Sequence, residues 1–353
     1  MMNDYLKNVL EQPKELKKVL ETLIKEDYLR VKEIANLLTV SEEIVLTSMG
    51  SAYNSLMPMY YALMKQGKKV TLIETSELLQ NPEWVKKNKL YIMMSRSGES
   101  REVFDLSVLL KEKSCLLIGI TMTPDSTLGK NADILLNDCS TYDKCICLKA
   151  YTSLALCGLF CVSQMNGNRM KKDEEKELFR MFQWMEENKG NILVEIEKIP
   201  FFSQAHSYIF LSRGYGMGVA KAASLWLEEI AFVGGDVMSI ENFYHGPIRS
   251  VLNSELADNI ILPVYIDVLP TERTDMIWRE IVSTSKGSVY FGKKGSVTER
   301  NSCIIYPEFQ ISDEYLMILL AMYVQLFAYQ CCIVKGYKPG ISLGIPKDRW
   351  VVK

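Results

Sequence analysis

Three serines fall within six residues at Ser95-Arg96-Ser97-Gly98-Glu99-Ser100, with a glycine among them that lets the backbone come close to a ligand. An apolar run, residues 90–94, precedes them and a helical pattern, residues 101–113, follows, so the stretch reads as strand, tight polar turn and helix start. Hydroxyls and free backbone N–H groups at the positive end of a helix make a seat for a phosphate monoester. A plainer reading stays open, in which Ser97 or Ser100 only caps the helix. Gly50-Ser51-Ala52-Tyr53-Asn54-Ser55 opens another helix behind its own short strand.

Groups able to move a proton are scarce, because the chain has two histidines. His245 lies in Glu241-Asn242-Phe243-Tyr244-His245-Gly246-Pro247, which reads as a turn; His206 precedes a strand and reads as structural. Glu228 and Glu229 stand near the end of the helix 217–232, on an otherwise apolar face with Leu225, Trp226, Leu227 and Ile230. A carboxylate at such a border is either a solvated flank or a group whose proton affinity burial has raised. Paired with an imidazole, the second kind exchanges protons at neutral pH.

These residues need elements to hold them. Amphipathic helices fill residues 1–40. Strands at 44–48, 68–73, 90–94, 115–120 and 134–136 alternate with helices and polar turns over residues 41–166, and a helix at 149–165 closes the set. A Lys- and Glu-rich connector spans 167–200. The pattern then restarts over residues 201–336. A strand at 208–211, the turn Ser212-Arg213-Gly214-Tyr215-Gly216 and the helix 217–232 echo Leu46-Thr47-Ser48-Met49-Gly50-Ser51 and its helix about 165 residues earlier. Strands at 260–265, 288–291 and 303–306 and helices at 271–283 and 313–334 complete the repeat, and a Gly/Pro-rich tail covers 337–353. The expected class is α/β, with two tandem domains, each a parallel sheet covered by helices on both faces. Ligands of such sheets sit at the carboxyl ends of the strands, where the polar turns lie.

Composition limits the partners. With 353 residues, 48% hydrophobic and 24% charged, the chain buries a real core, and a net charge of −2 without a long basic block argues against nucleic acid. Nine cysteines lack the spacing of a tetrahedral zinc site, Cys145-Ile146-Cys147 being only C-x-C, so buried thiols in a reduced, cytoplasmic chain are expected, with no metal and no cofactor. No signal peptide is read at the amino terminus. The apolar stretch 315–334 keeps Gln325, Tyr329 and Gln330 and reads as a buried or interface helix, not a membrane span.

Taken together, Gly50-Ser51-x-Tyr53-Asn54-Ser55, Ser95-x-Ser97-Gly98-Glu99-Ser100, Leu227-x-Glu229-Ile230, His245-Gly246-Pro247 and Lys347 in the tail resemble the double SIS (sugar isomerase) domain family. That family takes in the isomerase half of glucosamine-6-phosphate synthase and the fructoselysine and glucoselysine 6-phosphate deglycases, and the match runs from about Glu11 to the end. The resemblance implies two tandem SIS domains of flavodoxin-like topology and a sugar 6-phosphate substrate. By it, Ser51, Ser95, Arg96, Ser97 and Ser100 hold the phosphate, with Arg96 where the synthase usually has glutamine, and Gly50, Cys145 and Lys149 face the sugar. Glu229 matches the acid/base that works on the C1/C2 protons, His245 the ring-opening residue, and Lys347 the lysine of a tail that closes over the substrate. In this family the histidine tends to come from a neighbouring subunit, which implies a homodimer.

The implied activity is that of a phosphosugar isomerase, or of a deglycase or deaminase, acting on an amino-sugar or ketosamine 6-phosphate through an enediol or enaminol, without glutamine-dependent amidotransfer. The alternative is a non-catalytic sugar-phosphate sensor, which keeps the serines and needs no acid/base set. Ala52, Ala222 and Trp226 depart from the synthase pattern and hint at a bulkier amine than ammonia, although an indole on a helix also packs a core.

Overall fold

Near-continuous apolar runs, each ended by a polar turn, build the strands of this chain, as they do in sheets covered on both faces. The computed structural model describes residues 3–143, 145–252, 260–293 and 302–340. The chain divides into two compact units, one built on Glu11–Phe182 and the other on Gln183–Ile341 together with Met1–Leu10.

Helices α1 (Asp4–Ile24) and α2 (Tyr28–Val40) lead into β1 (Glu43–Ser48), α3 (Gly50–Lys65), β2 (Lys69–Glu74), α4 (Thr75–Gln80) and β3 (Leu90–Ser95). After these come α5 (Arg101–Glu112), β4 (Leu116–Thr121), α6 (Thr127–Asn131), β5 (Ile134–Asn137) and α7 (Lys149–Ser163). The strands pair in parallel in the order β2-β1-β3-β4-β5. The centre of the sheet, β3, is buried at every residue, while the edge strand β2 alternates toward solvent. Val45, Tyr91, Met93 and Leu117 pack on one face against Val103, Leu106 and Leu110 of α5. Across the other face α7 comes so near that a Cβ at Gly158 would meet Met94 at 2.6 Å and Met59 of α3 at 3.1 Å.

The charged stretch that follows is one helix, α8 (Lys172–Glu197), and it is more than a solvated rod. Leu178, Met181, Phe182, Met185, Ile192 and Ile196 form a buried stripe at helical spacing.

Beyond it lie β6 (Ala205–Ser212), α9 (Gly216–Ala231), β7 (Gly235–Ser239), α10 (Ile240–Tyr244), α11 (Arg249–Leu252) and β8 (Ile260–Ile266). The last elements are α12 (Glu272–Thr284), β9 (Val289–Lys293), β10 (Ser302–Tyr306) and α13 (Asp313–Val334). Their parallel sheet runs β10-β9-β8-β6-β7. Counted from the first strand of each set, both sheets have the flavodoxin-like order 2-1-3-4-5. The repeat extends to single bonds. Ser48 Oγ donates to the Met94 carbonyl at 2.5 Å and Ser212 Oγ to the Ile266 carbonyl at 2.6 Å. Two residues after each of these serines comes a glycine with positive φ, +56° at Gly50 and +51° at Gly214.

By length and composition α13 could cross a membrane, yet it is buried in its own unit. Phe327 meets Tyr208, Phe210 and Phe291 of the sheet ring to ring, and Gln325 is fully enclosed. Tyr5 of α1 reaches the same helix, donating to the Gln325 carbonyl at 3.0 Å and stacking on Tyr329.

Candidate functional site

Strands β1 and β3 are neighbours, but α3 returns along one face of the first sheet and α5 along the other. The chain therefore parts between them, and their carboxyl ends flank a crevice, the usual ligand seat of an open parallel sheet. Ser51 stands on one rim at the start of α3; the loop from Ser95 to Ser100 forms the other. Neither helix is capped by a side chain: Met49 cannot cap α3, and the Ser100 hydroxyl makes no capping bond to α5. The capping interpretation of Ser100 is thus not what the structure contains. Two helices of 16 and 12 residues bring uncapped amino ends, each a partial positive charge, to one crevice.

The serine loop is held by its neighbours. Ser95 Oγ accepts the Gly98 N–H at 3.0 Å and Ser97 Oγ the Glu99 N–H at 3.2 Å. Gly98 has φ +64°, and a Cβ there would lie 2.5 Å from the Ser126 Cβ, so only glycine fits. The turn after β4 clamps the loop from outside: Leu128 donates its N–H to the Gly98 carbonyl at 3.2 Å, and the Thr127 N–H donates to Glu99 Oε1 at 2.6 Å. Thr123 Oγ1 donates to the Arg96 carbonyl at 3.1 Å, with Thr121 Oγ1 at 3.4 Å.

Arg96 lies over the Tyr142 ring, 5.1 Å from its centroid. Its charge also acts on Asp143, whose carboxyl burial pushes upward, while three backbone N–H groups, from Ala150, Leu148 and Lys149, and then Arg96 pull it down. Those three bonds, 2.9 to 3.1 Å, fasten the turn carrying Cys145 to the start of α7. Cys145 itself is partly buried. Ser51 Oγ reaches the Cys147 carbonyl of that turn at 3.5 Å. Lys149 is buried, and its ammonium is turned to Thr141 Oγ1 at 2.7 Å and Glu11 Oε2 at 3.2 Å. The first unit thus gathers Gly50, Ser51, Ser95, Arg96, Ser97 and Ser100 around its crevice, with the Cys145 turn tied to it through Ser51. Glu99 as an anchor, the threonines at 121 and 123, Ser126 and Asp143 carry no signal of these roles in the sequence.

The repeat lets the second crevice be compared position by position. Ser95 follows Met94, and the residue following Ile266 is Asp267, a buried carboxyl that accepts the Tyr290 hydroxyl at 2.9 Å. Burial pushes it up to about 6. A carboxylate in place of a serine hydroxyl opposes an anion, which sets this position of the second unit apart from its counterpart in the first.

Of the remaining sequence candidates, Glu229 is exposed near the end of α9, which makes it the solvated flank of the two readings. Its neighbour Glu228 accepts the Ser224 hydroxyl at 3.1 Å. His245 is exposed just after α10, its N–H bonded to the Asn242 carbonyl at 3.1 Å. Lys347 lies outside the described residues. The hint taken from Ala222 and Trp226 is corrected: both are fully buried, and the indole packs the core of its unit.

Behind the first crevice, Asp138 is enclosed and accepts Ser153 Oγ at 2.7 Å and the Ser140 N–H at 2.9 Å. Burial outweighs these bonds and pushes it up to about 6 from 3.8. The folded state therefore keeps a proton that the unfolded chain has lost. The stability it lends is present below the ordinary carboxylate range and is lost as pH rises to about 6. Asp138→Asn should remove about 2 kcal/mol of that pH dependence between pH 4 and 8, read from urea unfolding of variant and wild type at each pH. Parallel curves for the two proteins would refute it.

Comparison with known proteins agrees with this fold. Residues 37–142 match the SIS domain family. The glutamine–fructose-6-phosphate aminotransferase (isomerizing) of Pyrococcus horikoshii is 24% identical over 97% of this chain and 57% of its own length, so the chain spans little more than half of that relative. Among solved structures, tagatose-6-phosphate ketose/aldose isomerase from Escherichia coli superposes with a TM-score of 0.80 at 17% identity, covering 97% of this chain and 96% of the other. Glucosamine-6-phosphate deaminase from Thermotoga maritima gives 0.76 at 21%, covering 98% and 99%. Likeness at these identities establishes the fold.

Proposed function

Because residues 37–142 match the SIS domain family, we propose that the chain is a phosphosugar enzyme that moves a proton between C1 and C2 of an amino-sugar or ketosamine 6-phosphate. The observation that carries this reading is the first crevice, where two uncapped helix ends and the hydroxyls of Ser51, Ser95, Ser97 and Ser100 await a dianion. Arg96, steadied by Tyr142 and Asp143, adds a full positive charge beside them.

With the phosphate anchored, the chemistry needs one base and donors for a developing oxyanion. Glu229 is the base. On a ketosamine it lifts a proton from C1 to give the enaminol, and the proton's return at C2 leaves C1 as an imine. Water adds to that imine and expels the amine, giving the aldose 6-phosphate. On a substrate without the amine the same transfer gives aldose–ketose exchange. His245 assists ring opening. It is exposed, as a side chain offered to a second copy in a homodimer has to be. Lys347, assigned through the family resemblance, orients the substrate oxygen. Names such as deaminase and ketose/aldose isomerase among the similar structures support both outcomes.

The test is direct. The protein is incubated with fructose 6-phosphate, glucosamine 6-phosphate and a set of ketosamine 6-phosphates, and amine release and aldose–ketose exchange are followed. Turnover of any of them supports the reading. Binding throughout the set with no turnover would make the chain a sugar-phosphate sensor instead.

A further inference from the structure

Phe232 closes α9 in a conformation that large side chains avoid. Its backbone is left-handed, φ 53° and ψ 39°, the place that glycine or asparagine normally takes at the end of a helix. Strain of this kind is usually offset by burying the ring, yet 49% of Phe232 is exposed. The ring meets Tyr337 edge to face, centroids 5.0 Å apart and planes at 90°, and Tyr337 is itself 44% exposed.

The ends of the two helices that carry the pair are fastened together. Cys332 of α13 donates its thiol to the Ile230 carbonyl of α9 at 2.9 Å, and the Tyr337 N–H bonds back to the Cys332 carbonyl at 3.0 Å. Two rings at right angles thus form a corner open to solvent, three residues beyond Glu229 along the same chain.

We propose that this corner is a specificity subsite, in which Phe232 and Tyr337 receive an apolar, aryl or alkyl, substituent on the substrate amine. The inference rests on the reading of Glu229 as the proton-transfer base. Size favours a small ligand over a second copy of the chain, since the two half-exposed rings, even counted with Ile333 and Val334, also exposed at the end of α13, offer on the order of 300 Å², against about 800 Å² per partner in a stable interface. Trp226 and Ala222 are buried in the core, so of the aromatic groups at this end of α9 it is the corner, three residues beyond Glu229, that is exposed to a ligand.

The experiment compares two ketosamine 6-phosphates that differ only in the amine, one made with benzylamine and one with methylamine, on wild type and Phe232→Gly. Glycine takes the positive φ without strain, so the variant keeps its helix end and its melting temperature does not fall. Wild type should prefer the benzyl compound by about tenfold in KM, the worth of one aromatic contact. Phe232→Gly should erase that preference and leave the KM of the methyl compound within twofold. Turnover of both compounds with a preference that Phe232→Gly does not change would overturn the subsite while the proposed reaction stands. Benzyl-selective binding by calorimetry, lost in the variant but without turnover, would keep the subsite and remove the enzyme. No binding of either compound would end both. A wild-type dimer that Phe232→Gly converts to monomers would hand the corner to a second copy and defeat the proposal.

Discussion

Glu229→Gln should lower kcat by about 100- to 10,000-fold, the usual worth of a positioned general base, while KM for the same sugar phosphate changes only a few-fold. The separation follows from where the groups lie in the sequence and the sheets. In the proposed reaction the phosphate is held by residues 51 and 95–100 of the first unit, and Glu229 belongs to α9 in the second, so the exchange of oxygen for an amide takes nothing from that proposed anion seat. Stability should not move either, because the side chain is exposed and substitutions of this sort usually stay within about 0.5 kcal/mol. Steady-state kinetics with a melting curve on the same sample reads all three. Unchanged kcat would strip Glu229 of its role.

Gly98→Ala should act on the other half of the reaction. The methyl group would force L-residue backbone to φ +64° and drive into Ser126, which caps α6 by accepting the Gly129 N–H at 3.3 Å. The left-handed strain and the overpacking together cost about 2 to 4 kcal/mol, or roughly 5 to 15 °C in melting temperature for a unit of this size. If the loop shifts to make room, the Gly98 carbonyl loses Leu128 and the Ser95 hydroxyl loses its N–H. Affinity for glucosamine 6-phosphate should then fall at least about tenfold, the equivalent of one good hydrogen bond to a charged group. Titration calorimetry at a temperature where the variant is still folded measures it. Ser126→Ala in the same background, which removes the nearest atom, should recover part of the loss.

Both predictions start from a motif that is legible in the sequence, and the reason is local. A six-residue loop between an apolar run and a helix carries its own strand end, its own turn glycine and its own hydroxyls, so nothing distant is needed to recognise it. The parallel sheets are legible for a similar reason, their central strands being continuous apolar runs such as 90–94 and 208–211. Strand β7 escapes notice because Gly235 and Asp236 open it and it pairs only with β6, at the edge, where its residues are partly exposed. The clamp on the serine loop is invisible for another reason. Thr121, Thr123 and Thr127 stand 25 to 28 residues from their partners in the loop, on a strand end and a turn whose local pattern predicts only those elements. Trp226 shows the opposite failure, a departure from a family pattern that suggested chemistry and proved to be packing. Asp267 does not stand out in the sequence because it ends an apolar strand as any turn residue might. Its meaning came from the repeated Ser48 and Ser212 bonds, which align it with Ser95.

The bond from Tyr5 to the Gln325 carbonyl joins positions 320 apart. During synthesis the segment around Tyr5 leaves the ribosome long before α13 exists, so it must wait, unpaired, through the translation of nearly everything between. The strands of residues 43–137 pair with one another, so their sheet can assemble as it emerges. Nascent chains stalled before residue 313 should therefore display a protease-sensitive leader ahead of an already resistant body, and only release of the finished polypeptide should protect both.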